Sequence, residues 1–231
     1  MRSGIHIEDA LRIDDLQAGF LDHSRRAYAL LPALDRPRVL DIGCGSGLPT
    51  IELARLSGGE VIGIDTDRTA LSSLRQRIDR AGLSRRVSAV NASLCALAFL
   101  AESFDLLWAE GVLHLLDPCE SLPACHRLLK PGGFLVMHET IAWFDGVKER
   151  LGSFGFRLVG QHLLPRYCWW TDYYAPLEAN IRALREVHRD EMSLPGQLAR
   201  YEIEVSMVKA DPGRFDGGFF IVTKDCAAPV G

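Results

Sequence analysis

The sequence has no C-x-x-C pair, no internal repeat, no low-complexity tract and no excess of positive charge. No uninterrupted apolar stretch approaches about 18 residues, which argues against a membrane-spanning helix. The first residues, Met1 to Asp9, lack the apolar core of a secretory signal. Without such a signal, the six cysteines (Cys44, Cys95, Cys119, Cys125, Cys168 and Cys226) are expected to stay reduced. Cys119, Cys125 and His126 fall close together but without zinc-type spacing, so no metal is expected. Thirty acidic residues against 26 basic ones give a net charge of −4, no electrostatic reason to expect nucleic acid. The arginines Arg75, Arg77, Arg80, Arg85 and Arg86 read as a solvated helix face. The expected setting is the cytoplasm, without a membrane partner.

The chain has 231 residues, of which 48% are hydrophobic, enough for one domain with a sizeable core. Its most informative stretch is Val39-Leu-Asp-Ile-Gly-Cys-Gly-Ser-Gly47. Val39, Leu40 and Ile42 read as a buried parallel strand, and a helix-like segment from Leu48 to Leu56 follows the glycines. Glycines serve where a strand turns sharply into a helix and a ligand approaches main-chain N–H groups. This pattern marks the first crevice of a doubly wound α/β sheet.

Spacing selects the ligand. A dinucleotide fingerprint, G-x-G-x-x-G, would put its third glycine at position 48, which is Leu48; the glycines are Gly43, Gly45 and Gly47. Asp41 places a carboxylate where a pyrophosphate would lie, repelling phosphate and attracting an ammonium or sulfonium group. Asp65 ends the next apolar run, Val61-Ile-Gly-Ile64, where an acid accepts hydrogen bonds from a ribose diol. A ligand with a cationic amino-acid end and a nucleoside end fits both acids, and S-adenosylmethionine is one.

These residues resemble the class I S-adenosylmethionine-dependent methyltransferases over roughly residues 37–140. Asp41-Ile-Gly-Cys-Gly-Ser-Gly47 is similar to the family's first motif, and Asp65 to the acidic end of its second strand. Phe104-Asp-Leu-Leu-Trp-Ala-Glu-Gly111 is similar to its fourth-strand motif, and Leu129-Lys-Pro-Gly-Gly-Phe-Leu135 to the turn entering its fifth strand. The resemblance implies a Rossmann-like α/β sheet of seven strands, mostly parallel with the last antiparallel. It also implies a cofactor contact set: Asp41, Gly43, Cys44, Gly45, Gly47, Asp65, Thr66, Asn91, Ala92, Ser93, Leu94, Glu110 and Gly111. In that set Asp41 faces the cofactor's amino group or, alternatively, partners a helix N-terminus. Thr66 lies beside the adenine, and Glu110 and Gly111 offer backbone groups to the ammonium. Asn91 stands where the family usually has an acid, so Ser93 or the backbone around Leu94 is the alternative adenine contact.

Alternating strand-like and helix-like segments bear this out locally. Strands are expected near 38–42, 60–65, 86–91, 104–109, 132–138, 155–163 and 217–223, and helices near 47–57, 67–81, 118–129 and 145–153. Asp67 and Gly82 read as the caps of the second helix. The expected organisation is a single domain over 1–231: an N-terminal helical cap (1–36), a cofactor-binding core (37–163), a lid insertion (164–215) and a last strand with tail (216–231). The insertion is expected to be helical mainly from Asp172 to Val187.

A narrower resemblance is to small-molecule methyltransferases of mostly unassigned substrate. It rests on Trp108-Ala-Glu-Gly111, Glu139-Thr-Ile-Ala-Trp143-Phe144, Leu164-Pro165 with Cys168-Trp169-Trp170-Thr-Asp-Tyr173-Tyr174, and Gly218-Phe-Phe-Ile221. The chain departs from it at Ala109 and by one extra residue between Glu139 and Trp143. The implied reaction is in-line transfer of the methyl group to a small-molecule acceptor, by a monomer or homodimer. Protein or RNA methylation and non-catalytic binding of the cofactor are the alternatives, and NAD-dependent reduction is disfavoured by Leu48 and Asp41. A base is needed only where the acceptor must lose a proton. His114, Glu139 and Tyr173 are the catalytic candidates, with His138 and Tyr167 beside them. The aromatic residues Phe20, Trp143, Tyr167, Trp169, Trp170, Tyr173 and Tyr174 are the expected acceptor wall.

Overall fold

The computed structural model describes residues 7–189, 192 and 194–225. They form seven strands: β1 (Arg38–Ile42), β2 (Glu60–Asp65), β3 (Val87–Asn91), β4 (Phe104–Glu110), β5 (Leu129–Thr140), β6 (Phe156–Leu163) and β7 (Gly217–Lys224). The α-helices are α1 (Ile7–Ala10), α2 (Ile13–Ala18), α3 (Leu21–Tyr28), α4 (Leu48–Ser57), α5 (Arg68–Arg80), α6 (Pro118–Leu128), α7 (Ile141–Lys148), α8 (Ala175–Val187) and α9 (Leu194–Ala210). The chain divides into two compact units, one holding Leu21–Leu163 with the last strand, the other holding the residues up to Phe20 with Leu164–Asp216.

The larger unit is built on a single sheet of order β3-β2-β1-β4-β5-β7-β6. β1 to β5 pair in parallel, while β7 runs antiparallel to both β5 and β6. This is the expected doubly wound arrangement, with helices supplying the crossovers between parallel strands. One face buries Leu40, Ile42, Ile62, Ile64, Leu107, Ala109, Leu135 and Met137 in a continuous core. On the other face Trp108 is wholly buried, 5.8 Å from the ring of Phe219 and 6.4 Å from that of Tyr28.

Helix α5 shows how local chemistry fixes an element. Asp67 caps its start, accepting from the N–H groups of Thr69 (2.7 Å) and Ala70 (3.3 Å). Gly82, at φ +67°, ends it, and Leu83 N–H returns to Ile78 O at 3.0 Å. Other boundaries differ from expectation. Helix α7 begins at Ile141 rather than near 145, because Thr140 caps it through Trp143 N–H at 3.2 Å. Strand β5 starts at Leu129, and the Pro131-Gly132-Gly133 turn is absorbed as an irregularity where its pairing with β4 shifts register.

The smaller unit has its own core of Leu11, Ile13, Tyr173, Leu177, Ile181, Leu194, Leu198, Tyr201 and Val205. Arg12, at φ 56°, separates α1 from α2, so the described part of the expected N-terminal helical cap holds three short helices. Residues 169–174 form a single wide π-type turn leading into α8. Helix α9 lies beyond the stretch Asp172 to Val187 expected to be helical, and its Pro195 stands in the first turn, where proline is tolerated. The buried positions 194, 198, 201, 205 and 208 carry helical spacing. The five described cysteines are free, and Cys226 lies outside the described residues. Among the described residues, no helix is long and apolar enough to cross a membrane.

Trp108→Ala should lower unfolding stability by about 3–5 kcal/mol, the range for deleting a large buried aromatic. Urea denaturation measures this; a loss under about 1 kcal/mol would mean that Trp108 is not a core anchor.

Candidate cofactor crevice and proton-handling residues

At the carboxyl ends of β1, β2 and β4 the larger unit opens a cleft of about 410 Å³. Gly43, Asp65, Thr66, Ala92, Ser93, Leu94 and Gly111 line it, all of them expected contacts, together with Ile42, Ile64, Val112, Leu115 and Leu116. The last three were not singled out from the sequence. They follow a glycine outside any strand, and Leu115 is 72% exposed, so no periodic signal marks them.

The turn after β1 needs its glycines. Gly47 sits at φ +88°, where a Cβ would run into the Leu74 side chain of α5. Gly45, at φ +52°, faces open space instead, leaving its backbone approachable. Its N–H donates to Asp65 Oδ2 at 2.9 Å, while Asp67 N–H donates to Asp65 Oδ1 at 2.8 Å. Asp65 therefore clasps the glycine turn to the start of α5, and each oxygen keeps a lone pair for a further donor. The Asn91 amide group donates to the carbonyls of Asp65 (2.9 Å) and Thr66 (3.1 Å), bracing the same loop from β3. Cys44 is buried against Gly63, and burial pushes its thiol well above the ordinary value.

Two acids are held by side-chain donors. Asp41 is buried and accepts from Thr50 Oγ1 of α4 at 2.5 Å, so its side chain partners the helix. Burial, reinforced by the charges of Glu110 and Asp65, pushes its carboxyl up to about 8, against the pull of Thr50. At the end of β4, Glu110 Oε1 accepts from Trp108 Nε1 (2.7 Å) and Ser24 Oγ of α3 (2.8 Å). Burial raises Glu110 as well, with those two bonds opposing it. Gly111 N–H is taken by the His138 carbonyl at 2.8 Å.

His114 and Glu139, named separately from the sequence, are joined. Glu139 Oε2 lies 2.8 Å from His114 Nδ1, and Oε1 accepts from the N–H groups of Leu113 (2.8 Å) and His114 (3.3 Å). The carboxyl is nearly inaccessible while the imidazole is 44% exposed. Burial pushes Glu139 up, and His114 holds it back. Such a pair fixes a ring and presents its second nitrogen outward. His138 is instead buried against Phe219, at 4.5 Å between centroids, and burial lowers it to about 4.

Of the expected acceptor wall, Phe20, Trp169, Trp170, Tyr173 and Tyr174 gather in the smaller unit, with Phe20 and Trp169 stacked at 4.4 Å. Tyr167, in the same unit, is at φ 62° and exposed, its N–H on Asp216 Oδ1 at 2.7 Å. Trp143 belongs to the larger unit and packs on its core. Tyr173 is buried in the core of the smaller unit, and burial pushes its phenol up to about 12. Among the described residues, no group of three or more His, Cys, Asp or Glu could hold a metal ion.

Residues 40–137 match the family model described as a methyltransferase domain. A ubiquinone biosynthesis O-methyltransferase of Cereibacter sphaeroides is 42% identical over 147 residues, covering 61% of this chain and 56% of that protein. Methyltransferase GfsG of Streptomyces halstedii is 34% identical over 134 residues, covering 58% and 48%. The chain thus spans about half the length of the curated relatives it matches. Among solved structures, the [4+2]-cyclase SpnF superposes with a TM-score of 0.72 at 19% identity, covering 88% of this chain and 82% of that one. A methyltransferase of Geobacter sulfurreducens bound to S-adenosyl-L-homocysteine gives 0.67 at 20% identity, covering 87% and 90%. At such identities the likeness speaks for the fold.

Asp41 supplies a test with a defined sign. Its carboxyl ionises lower in the unfolded chain than in the folded one, so the wild type loses stability as pH rises from about 4 to about 8. Asp41→Asn should gain stability relative to wild type over that interval, read as a growing difference in urea midpoints. A difference that stays flat would contradict the buried, raised carboxyl.

Proposed function

We propose that the chain is a class I S-adenosylmethionine-dependent methyltransferase that methylates a hydroxyl group of a small molecule, a reading supported by the match of residues 40–137 to the methyltransferase-domain model and by the sheet order. The carrying observation is the Asp65 clasp at the mouth of an apolar-walled cleft. The spare lone pairs of Asp65 accept the ribose diol, Thr66, Ser93 and Leu94 border the adenine, and the backbone at Gly45 admits the methionine part. Open space at Gly45 and Gly111 accommodates such a ligand. When bound, S-adenosylmethionine supplies an electrophilic methyl group. With the cationic end bound, Glu110 and Asp41 are drawn toward the charged forms that burial otherwise opposes.

The His114–Glu139 pair is the base of this reading. Glu139 orients the ring, and the outward nitrogen takes the proton from the acceptor hydroxyl as oxygen meets the methyl carbon. The hydroxyl follows the name of the Cereibacter relatives, and a base is what such an acceptor needs. Orientation and exclusion of water supply the rest. A small-molecule acceptor rather than nucleic acid agrees with the net charge of −4, and we place the protein in the cytoplasm as a monomer or homodimer.

Radiolabelled methyl transfer from S-adenosylmethionine to a panel of phenols, catechols and alcohols tests the reading. His114→Ala should lower kcat by about 10²–10⁴ while leaving cofactor affinity nearly intact. Asp65→Ala should weaken cofactor affinity by roughly 10–100-fold and cost some stability, because the clasp is lost. Unchanged kcat in the first variant removes the base, and unchanged affinity in the second removes the ribose contact. A second reading, a reaction other than methyl transfer on the same fold, draws on the likeness to the [4+2]-cyclase. It predicts cofactor binding with no transfer to any acceptor.

A further inference from the structure

The amino ends of β1, β2 and β3 lie together at the edge of the sheet opposite the cleft, because the three strands are parallel neighbours. The loops entering them enclose a second hollow, of about 530 Å³, lined by Arg36, Gly58, Gly59, Glu60, Arg85 and Arg86. The five residues of β1, a span of about 16 Å, separate it from the glycine turn of the cleft. The sequence reads Arg85 and Arg86 onto a solvated helix face with Arg75, Arg77 and Arg80. Helix α5 instead ends at Arg80 and the chain turns at Gly82, which carries the last two arginines to the hollow.

Backbone contacts build this hollow. A Cβ at Gly59 would run into the Pro37 carbonyl oxygen and the Arg36 carbonyl carbon, so β2 starts against this bend only with glycine there. Arg36 itself sits at φ 43°, a left-handed conformation that is costly for a residue with a side chain. Gly58, at φ +63°, faces open space. Arg86 is fixed at three points. Its N–H donates to Leu83 O at 2.8 Å, its carbonyl accepts from Val61 N–H at 2.8 Å, and its Nη1 donates to Ala54 O at 2.8 Å. The last bond sets that guanidinium against the negative end of α4. The one acid of the lining, Glu60, accepts from Arg38 Nε at 3.1 Å. Among the described residues, neither Arg36 nor Arg85 has a side-chain hydrogen bond or ion pair.

We propose that this hollow is a second binding site, for a phosphate-bearing small molecule or headgroup whose phosphoryl group is gripped by Arg36 and Arg85. A phosphoryl group carries a charge of about −1.5 to −2 and three strong acceptor oxygens, so one group takes a guanidinium from each of two loops. A carboxylate, with a single charge and two oxygens, is matched by one guanidinium fork. Arginine's planar, permanently charged donor set suits this task better than a lysine's point charge. Arg86 adds a third, fixed positive charge, and the charge of Glu60 stays with Arg38. The two edges of the sheet thus differ in sign: acids gather at the cleft, arginines at the hollow. The site does not depend on which reaction the cleft performs.

Calorimetric titration of the full chain with inorganic pyrophosphate tests it, at low ionic strength because salt screens exposed charges. One site per chain is expected. Arg36→Gln with Arg85→Gln should weaken binding at least about tenfold, the loss expected when charge-assisted hydrogen bonds are removed. Arg75→Gln with Arg80→Gln, on α5 outside the hollow, should keep the wild-type affinity. Absence of binding, an unchanged affinity in the first double variant, or equal losses in both would overturn the site. Should the first variant fail to fold, amide chemical shifts of the wild type decide. Pyrophosphate should then move Gly58, Gly59 and Arg86, and shifts confined to Gly43, Gly45 and Gly47 would overturn the site. Co-sedimentation with phosphatidylcholine vesicles containing phosphatidic acid, lost in the first variant, would make the source a lipid headgroup. Pyrophosphate binding without co-sedimentation would make it a soluble phosphate.

Discussion

The two hydrogen bonds into Asp65 are the constraint on which the crevice rests. One donor is Gly45 N–H in the turn after β1, and the other is Asp67 N–H at the start of α5. A carboxylate that takes main-chain donors from two separate elements fixes their spacing more firmly than packing alone. Leu74 then lies where any side chain at position 47 would stand, closing α5 onto the same turn. The ordered sheet edge β3-β2-β1-β4 brings Thr66, Ala92, Ser93 and Gly111 around this clasp.

The electrostatics of the region have a single theme. Asp41, Glu110 and Glu139 all sit where burial makes ionisation costly, and the carboxyls of Asp41, Glu110 and Asp65 are near enough for the first to feel the other two. Each is restrained by specific donors: Thr50 for Asp41, Ser24 and Trp108 for Glu110, His114 and two backbone N–H groups for Glu139. A cationic ligand end arriving beside such acids favours their charged forms and is favoured in return. A pyrophosphate carries charge of the same sign as these carboxylates and disfavours their ionised forms, which is the physical reason Asp41 speaks against a dinucleotide.

What was legible in the sequence was what local chemistry determines. The apolar runs of the strands, the glycine turn, Asp65 and the Asp67 cap each announce themselves within a few residues. Pairings between distant segments did not: His114 with Glu139 lie 25 residues apart, Ser24 with Glu110 86, and His23 with His162 139. For Asp41 the sequence leaves a ligand contact and a helix partner open, and the structure adds a hydrogen bond from Thr50 of α4. Helix α9 lies outside the expected helical stretch, although the 4-3-4-3 spacing of its buried residues is present in the sequence. The aromatic residues after Pro165 were visible as a cluster, and most of them do gather, in the core of the smaller unit.

The central claim is that this crevice takes a nucleoside with a cationic amino-acid tail and not a dinucleotide. Calorimetric titration of the purified protein with S-adenosylmethionine, S-adenosylhomocysteine and NAD addresses it directly. The account predicts saturable binding of both sulfur nucleosides and no heat attributable to NAD; binding of NAD with no response to either sulfur nucleoside would contradict it.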